Sequence, residues 1–158
     1  MAADIRIAEE PVTSPTAQHC LERYYSELRK RFEEGFDPGK SILHTLDEFA
    51  PPNGCFLVIY ADGAPVACGG FTPLGADAAY LKRMWVAPEA RGLGVGRKLL
   101  SALEEKAQSL GYRFARLETH KALAEAQRLY RSSGYTEVEP FNDELYAHHW
   151  FEKALNRA

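Results

Sequence analysis

Three glycines in alternate positions, Gly92, Gly94 and Gly96, separate a strand-like segment from a helix-like segment. A helix N-terminus carries unpaired N–H groups and a partial positive charge, so it favours an anion. Glycines add to this because a backbone without Cβ atoms can wrap closely around a phosphate. The pattern therefore predicts a phosphate-binding turn. The alternative is a tight strand-to-helix turn that needs glycine only for its dihedral angles.

The residues around the glycines narrow the class of phosphate ligand. Arg91 and Arg97 flank the turn and can add charge-assisted hydrogen bonds. The mononucleotide loop Gly-x-x-x-x-Gly-Lys-Ser/Thr is absent. The dinucleotide fingerprint belongs near the start of a parallel βαβ unit, whereas here antiparallel strands are predicted ahead of the glycines. Both nucleotide-binding folds are therefore disfavoured.

Three antiparallel strands are predicted before the glycines. The apolar run over residues 55–60 leads to Asp62-Gly63, and Asp-Gly is among the strongest hairpin signals. A return strand over residues 65–71 and a third strand over residues 79–86 follow, joined by a turn at residues 75–77. Because each connection is short, neighbouring strands must run antiparallel.

The N-terminal third predicts a strand over residues 5–8 and then helices. Ser14-Pro15 is typical of a helix cap with proline at the first helical position. A second helix is expected around Ile42, Leu46 and Phe49. The apolar face of the first helix consists of Ala17, Leu21, Tyr24, Leu28 and Phe32.

After the glycines, a helix with Gly111 as its C-terminal cap leads to a strand over residues 114–119. A right-handed helical crossover makes this strand parallel to the one before the glycines. A last helix ends at Gly134, and a turn near Asn142-Asp143 with a strand over residues 146–151 predicts a closing hairpin. The helix that directly follows the glycines has an apolar stripe at Leu99, Leu100, Leu103, Ala107 and Leu110. The last helix carries Ala122, Ala126, Leu129 and Tyr130.

These elements predict an α+β fold with a mixed, mostly antiparallel sheet of about six or seven strands. Helices are expected on both faces of the sheet, and a parallel β-α-β crossover at its centre. A chain of 158 residues fits one domain, residues 1–158.

Composition excludes several classes of protein. Nineteen Lys and Arg against 22 Asp and Glu give a net charge of −3, so neither nucleic acid nor a membrane surface is expected as a partner. The longest strongly apolar stretch, residues 55–61, is far shorter than the ~20 residues of a membrane span. The three cysteines are odd in number and widely spaced, which predicts neither a disulfide framework nor a zinc site. A cytoplasmic location is expected.

At these residues the sequence resembles the GNAT superfamily of N-acetyltransferases. The family signature Arg/Gln-x-x-Gly-x-Gly/Ala is met by residues 91–96, and residues 81–88 look like the family's fourth strand. Residues 126–135 match its Ala-x-x-Leu-Tyr-x-x-x-Gly-aromatic helix. Spacing and element order agree from Cys55 to Phe151. One departure is Leu123, at a position where the family often has an asparagine.

The resemblance implies acetyl-CoA as the co-substrate. Its diphosphate is expected on the backbone amides of residues 92–97, and its pantetheine arm beside the backbone of residues 84–86. The Val86 N–H matches the family's usual oxyanion donor, and Tyr130 matches the tyrosine that faces the sulfur and donates to the departing thiolate. A core aromatic is the alternative for Tyr130. The implied cofactor-binding residues are Met84, Trp85, Val86, Arg91, Gly92, Leu93, Gly94, Val95, Gly96, Arg97 and Tyr130.

Two residues are candidates for the general base. Glu118 lies on a predicted central strand, where a carboxylate needs a reason to be tolerated. The alternative for Glu118 is a structural ion pair with Arg116 or Lys121. His120 can act through water, or it is a surface histidine. Tyr80 occupies the position at which many family members place a glutamate.

The remaining histidines give little sign of a metal site. His148 and His149 are adjacent, so on a strand they point to opposite faces. A pair of histidines without further ligands is a weak metal signal, and no metal is expected.

The resemblance predicts an acetyl-CoA-dependent N-acetyltransferase that acts on the primary amine of a small molecule by direct attack on the thioester. A peptide or protein amine is the alternative acceptor, and a non-catalytic acyl-CoA-binding or regulatory module is the alternative class. Residues 1–54 are expected on the acceptor side, and residues 55–158 as the acetyl-CoA-binding core with the C-terminal hairpin. A homodimer is expected because dimers are common in the family. Candidate pocket residues, equally compatible with core packing, are Tyr24, Tyr25, Phe32, Phe36, Phe141, Asn142, Tyr146 and His148.

Overall fold

The computed structural model describes residues 4–41 and 46–155, which form a seven-stranded sheet with helices packed on it. The order β1-β2-β3-β4-β5-β7-β6 includes one parallel pair, β4–β5, and confirms the predicted α+β fold. No helix in these residues is long and apolar enough to cross a membrane. The strands are β1 (Ile5–Glu9), β2 (Cys55–Ala61), β3 (Ala64–Leu74), β4 (Ala78–Val86), β5 (Phe114–Thr119), β6 (Thr136–Val138) and β7 (His149–Ala154). The α-helices are α1 (Pro15–Arg31), α2 (Val95–Ser109) and α3 (Ala124–Ser132).

The predicted meander β2-β3-β4 is confirmed. Asp62 and Gly63 have φ values of 50° and 85°, as a tight turn between twisted strands requires. β2 pairs antiparallel with β3, and β3 pairs antiparallel with β4. The closing hairpin is also confirmed, because β6 pairs antiparallel with β7, which in turn pairs with β5.

The start of α1 is capped as predicted, and the helix expected after it is not α-helical where it is described. Ser14 Oγ accepts a hydrogen bond from the Ala17 N–H at 3.0 Å. In the second segment the structure has a short 3-10 helix, Leu46–Phe49, and Ile42 lies outside the described residues. Pro51-Pro52 follows closely, and proline cannot continue a helix. The predicted helix is therefore confirmed over residues 46–49, in the 3-10 form rather than the α form.

Helices α1 and α2 lie on opposite faces of the sheet. A Cβ atom placed on Gly69 of β3 would contact Leu99 and Leu103 of α2. The thiol of the adjacent Cys68 lies close to the thiol of Cys20 in α1 and interacts with it electrostatically. Because neighbouring strand residues point to opposite faces, the sheet is covered from both sides, as predicted.

The buried stripe of α2 is one residue shorter than predicted. Leu99, Leu100, Leu103 and Ala107 are buried, but Leu110 is 38% exposed. The helix ends at Ser109, so Leu110 lies at the C-cap beyond the last turn that faces the sheet. Gly111 has a φ of 96°, which confirms it as the turn residue that terminates the helix.

The parallel strands β4 and β5 separate soon after they meet. Their register covers Ala78–Phe114, Ala79–Ala115 and Tyr80–Arg116. Beyond Tyr80, β4 continues beside β3 alone, while β5 continues beside β7. The sheet therefore opens into a slot along the second half of β4.

Replacing Leu103 by alanine should lower the free energy of unfolding by about 2–5 kcal/mol, because the side chain is fully buried between α2 and the sheet. Leu110→Ala, at the C-cap just beyond the same helix, is the matched control and should cost about 1 kcal/mol or less. Chemical denaturation of both variants gives the two values. Equal losses would contradict the placement of Leu110 outside the core.

Candidate active site

Two cavities meet at the open slot of the sheet. One, of about 490 Å³, is lined by the glycine turn, the end of β4 and α3. The other, of about 260 Å³, lies between α1, β4, β5 and residues 144–147. The residues that line both are Tyr24, Leu28, Met84, Leu123, Ala126 and Tyr130. A ligand that spans the two cavities must therefore pass Tyr130 and Met84.

The glycine turn presents a row of N–H groups to the larger cavity. Gly92 and Gly94 have φ values of 86° and 76°, which only glycine adopts readily. The first backbone bond of α2 runs from the Lys98 N–H to the Gly94 carbonyl at 3.1 Å. The N–H groups of residues 95–97 thus have no acceptor inside the helix, and these residues line the cavity. Leu93 does not line it and is exposed.

The two arginines beside the turn are held by other side chains. Arg91 donates to Glu27 of α1 at 2.6 Å, and Arg97 donates to the hydroxyls of Ser132 and Ser133 at 2.9 and 3.1 Å. Both arginines line the larger cavity. Their positive charges therefore lie next to the row of N–H groups, as the sequence pattern predicts.

The Val86 N–H faces the slot. The Ala87 N–H donates to the Val66 carbonyl of β3 at 2.8 Å, which makes Val66–Ala87 a hydrogen-bonded pair. Antiparallel pairs alternate between bonded and non-bonded, so the neighbouring pair Ala67–Val86 is non-bonded. The Val86 N–H consequently points away from β3 and toward the open edge of β4.

Tyr130 lies where the two cavities join. It is buried, and its hydroxyl lies 4.0 Å from Met84 Sδ. Burial raises the pKa of Tyr130, and the negative charges of Glu118 and Glu125 add to that rise. The phenol is therefore protonated at neutral pH and can serve as a hydrogen-bond donor at the junction.

Glu118 extends into the smaller cavity from β5. Its side chain is 4% exposed, and Oε1 accepts hydrogen bonds from the Tyr80 hydroxyl and from Lys82 Nζ, the latter at 3.4 Å. Within the described residues, the buried Oε2 atom has no hydrogen-bond partner. The expected ion pair with Arg116 is wrong, because Arg116 bonds to Glu152 at 3.1 Å. The partner of Glu118 is Lys82 rather than Lys121.

A polar network that the sequence did not reveal supports Glu118. Lys82 Nζ also lies 3.9 Å from Glu144 Oε1, and Asn142 Nδ2 donates to the Tyr80 hydroxyl at 2.8 Å. Burial and the charge of Glu118 raise the pKa of Tyr80, which keeps its hydroxyl protonated. Tyr80 and Lys82 are two residues apart on one strand, so their side chains point to the same face. This spacing is the sequence signal from which their proximity could have been predicted.

The prediction of a surface His120 is wrong. The side chain is 2% exposed and stacks on Phe32 with ring centroids 3.7 Å apart. Its Nδ1 accepts a hydrogen bond from the Ala122 N–H at 2.9 Å, which places the proton on Nε2, 3.0 Å from Glu34. The imidazole thus donates to a carboxylate at the edge of the cavity.

His148 and His149 have different partners, in agreement with their predicted divergence. His149 Nδ1 lies 2.7 Å from Glu137, whereas His148 Nδ1 accepts from the Lys121 N–H at 3.1 Å. Ligand atoms of Glu34, His120 and His148 do lie within 4.8 Å of one another. In both His120 and His148 the bonded Nδ1 leaves the proton on Nε2, the atom that a metal would need. The cluster therefore fits hydrogen bonding better than metal ligation.

The smaller cavity has aromatic walls. Its ring-bearing side chains from the expected acceptor set are Tyr24, Tyr25, Phe32, Phe36 and Tyr146. Phe36 and Tyr146 have ring centroids 4.8 Å apart, and the Tyr146 hydroxyl accepts from the Asp37 N–H at 2.9 Å. Phe141, Asn142 and His148 do not line this cavity. Asn142 bonds to the Tyr80 hydroxyl, which in turn bonds to Glu118 on the cavity wall.

Comparison with known proteins assigns the chain to a family. Residues 21–135 match the description "Acetyltransferase (GNAT) family". The chain therefore belongs to this family. Acetyl-CoA-dependent N-acetyltransferases are thus the class of enzyme that the fold and the site define.

Individual relatives agree with this assignment. An uncharacterized N-acetyltransferase of Schizosaccharomyces pombe is 32% identical over 102 residues, which are 63% of each chain. An IAA acetyltransferase of Azospirillum brasilense is 33% identical over 78% of this chain and 82% of its own length. A crystal structure of the PaiA N-acetyltransferase of Thermoplasma acidophilum in complex with coenzyme A has a TM-score of 0.69 at 16% identity, covering 96% of this chain and 99% of that one.

Replacing Gly94 by valine should weaken CoA binding by about tenfold or more, because a branched side chain at a φ of 76° strains the turn and displaces its N–H groups. Gly75→Val is the matched control, since Gly75 has a φ of 66°, has open space around it and lies outside both cavities. Calorimetric titration with CoA measures both affinities. Unchanged binding by Gly94→Val would contradict the assignment of the turn.

Proposed function

We propose that the protein transfers an acetyl group from acetyl-CoA to the primary amine of a small molecule, by direct attack of the amine on the thioester. The observation that carries this proposal is the junction of two cavities at Tyr130, one with free helix N–H groups and the other with a buried carboxylate. The first suits a diphosphate, and the second suits an amine.

The larger cavity is the proposed site of acetyl-CoA. The diphosphate accepts hydrogen bonds from the amides of Gly92 and residues 94–97, which line this cavity and where the helix dipole favours negative charge. The pantetheine amides pair with the open edge of β4 at Met84–Val86, in the way that an added strand would. A similarly folded relative binds coenzyme A, which supports this placement.

The three steps of the reaction fall to three residues. Attack by a neutral amine creates a tetrahedral oxyanion, which accepts a hydrogen bond from the Val86 N–H. Glu118 Oε2 takes the proton that the amine loses. Tyr130 donates to the thiolate that leaves, a role that suits a phenol kept protonated by burial.

The small-molecule acceptor is supported by the shape of the smaller cavity. The cavity has a volume of about 260 Å³, which suits a small molecule, and its lining includes Pro38, Gly39, Ser41, Glu144, Tyr146 and Ala147. A peptide would need a groove with backbone partners along its length. The homodimer and the cytoplasmic location stay predictions.

Replacing Tyr130 by phenylalanine should lower kcat by about 100-fold, because the thiolate loses its hydrogen-bond donor. The dissociation constant for acetyl-CoA should change by less than about threefold, since the ring remains in place. Tyr135→Phe is the control, because it removes a buried hydroxyl that bonds to Glu104, outside both cavities. Equal kcat values for Tyr130→Phe and the wild type would remove Tyr130 from the chemistry.

Replacing Glu118 by glutamine should lower kcat by about 100-fold or more, because an amide cannot accept the proton that the amine loses. The control is Glu152→Gln, on the neighbouring strand β7 and paired with Arg116. Steady-state thiol release with saturating acetyl-CoA gives kcat for both variants. An unchanged kcat in Glu118→Gln would show that another group accepts the proton.

A further inference from the structure

We infer that the acceptor carries a carboxylate as well as its amine, and that Arg83 binds this carboxylate. The inference rests on the proposed function, because it names the substrate class of the same site. Arg83 lines the smaller cavity and has no assigned role in acetyl transfer.

The backbone at Arg83 is held in an unusual conformation. Its φ is 60°, in a region that residues other than glycine seldom adopt, and the β3–β4 register shifts between Cys68 and Gly70, opposite this position. An irregularity of this kind re-aims a side chain that a regular strand would direct elsewhere. Strained residues of this kind cluster at functional sites.

The charge of Arg83 is not neutralised by the protein. The guanidinium carbon lies 4.9 Å from the centre of the Phe49 ring, and within residues 4–41 and 46–155 no carboxylate forms an ion pair with it. The neighbouring cation differs in this respect, because Lys82 lies 3.4 Å from Glu118 and 3.9 Å from Glu144. Arg83 is thus the arginine on the cavity wall that can accept an anion.

Arg83 and Tyr25 both line the smaller cavity, and the charge of Arg83 acts on the Tyr25 phenol. Burial raises the pKa of the Tyr25 phenol, and the positive charge of Arg83 opposes that rise. Arg83 is half-buried, and its positive charge therefore acts on groups inside the pocket.

The opposite charge of the pocket is on Glu118. Its unpartnered Oε2 suits an ammonium group. An acceptor that carries one positive and one negative group can therefore pair with both Glu118 and Arg83. The planar fork of an arginine matches a carboxylate with two parallel hydrogen bonds. A phosphate dianion fits less well, because the buried Glu118 and Glu144 line the same cavity and would repel it.

The aromatic walls specify the rest of the acceptor. Tyr24, Tyr25 and Phe36 are half-buried and line the pocket together with Tyr146. Such walls favour an apolar or aromatic group attached beside the two charged groups. The acceptor class is therefore an amino acid with a large apolar or aromatic side chain.

The test compares L-phenylalanine, L-phenylalaninamide and 2-phenylethylamine as acceptors in a thiol-release assay with saturating acetyl-CoA. The wild type should prefer phenylalanine in kcat/KM by about tenfold or more over the other two amines. Arg83→Gln should lower kcat/KM for phenylalanine by about 10- to 100-fold and change the values for the two uncharged analogues by less than about threefold. Arg83→Lys keeps the positive charge and loses the planar fork, so its kcat/KM for phenylalanine should lie between the values of the wild type and Arg83→Gln.

Arg116→Gln is the matched control, because Arg116 bonds to Glu152 outside the cavity, and it should leave all three values unchanged. Equal wild-type rates for phenylalanine and its amide, or an equal loss for all three acceptors in Arg83→Gln, would overturn the inference. Turnover of 2-phenylethylamine without turnover of phenylalanine would also overturn it while leaving the proposed function intact.

Direct binding separates the inference from the proposed function. Phenylalanine is titrated calorimetrically into wild type and Arg83→Gln, each loaded with CoA. Binding that the substitution abolishes supports the role of Arg83 even if no acceptor is acetylated, in which case the proposed function fails alone. Absence of binding to the wild type, or equal binding to both proteins, overturns the inference.

Discussion

The separation of β4 from β5 is the constraint on which the site depends. Three register pairs hold the strands together, and each then continues beside a different neighbour. An unpaired backbone group away from water is costly, so strands in the middle of a sheet ordinarily stay paired. Here the unpaired edge of β4 faces a cavity in which ligand amides can pair with it. The position of the Val86 N–H and the junction at Tyr130 both follow from this opening.

Local signals were sufficient to predict most of the architecture. The cap at Ser14, the turn at Asp62-Gly63 and the positive φ values of Gly92 and Gly94 each depend on a few adjacent residues. Sequence reasoning could therefore place the strands, the glycine turn and the order of elements. Helix ends were less certain, because a stripe of leucines does not show where the last turn stops, and Leu110 lies beyond it.

Contacts between distant segments could not be predicted in this way. Glu118 was expected to pair with a neighbour in sequence, but its partner Lys82 is 36 residues away on the strand that leaves it. His120 is buried because Phe32, from the end of α1, stacks on its ring. Both outcomes depend on how the N-terminal helix and the sheet pack, which no local pattern encodes.

The charged network around Glu118 explains how a buried carboxylate can stay poised at the site. A buried charge is tolerated when it is paired and hydrogen-bonded. Lys82 and Tyr80 occupy one oxygen of Glu118, and Asn142 in turn holds Tyr80. The side chain is fixed through one oxygen, while the other is left for a ligand.

The ion pair between Arg91 and Glu27 affects the entropy cost of binding acetyl-CoA at the proposed site. A long arginine side chain loses conformational entropy when a ligand immobilises it. The contact with α1 restricts the motion of Arg91 beside the glycine turn in advance, so less of that entropy remains to be lost on association. In the proposed acetyl-CoA complex, helix α1 thus orders a residue beside the glycine turn from a distance, and a movement of α1 would be transmitted to the turn.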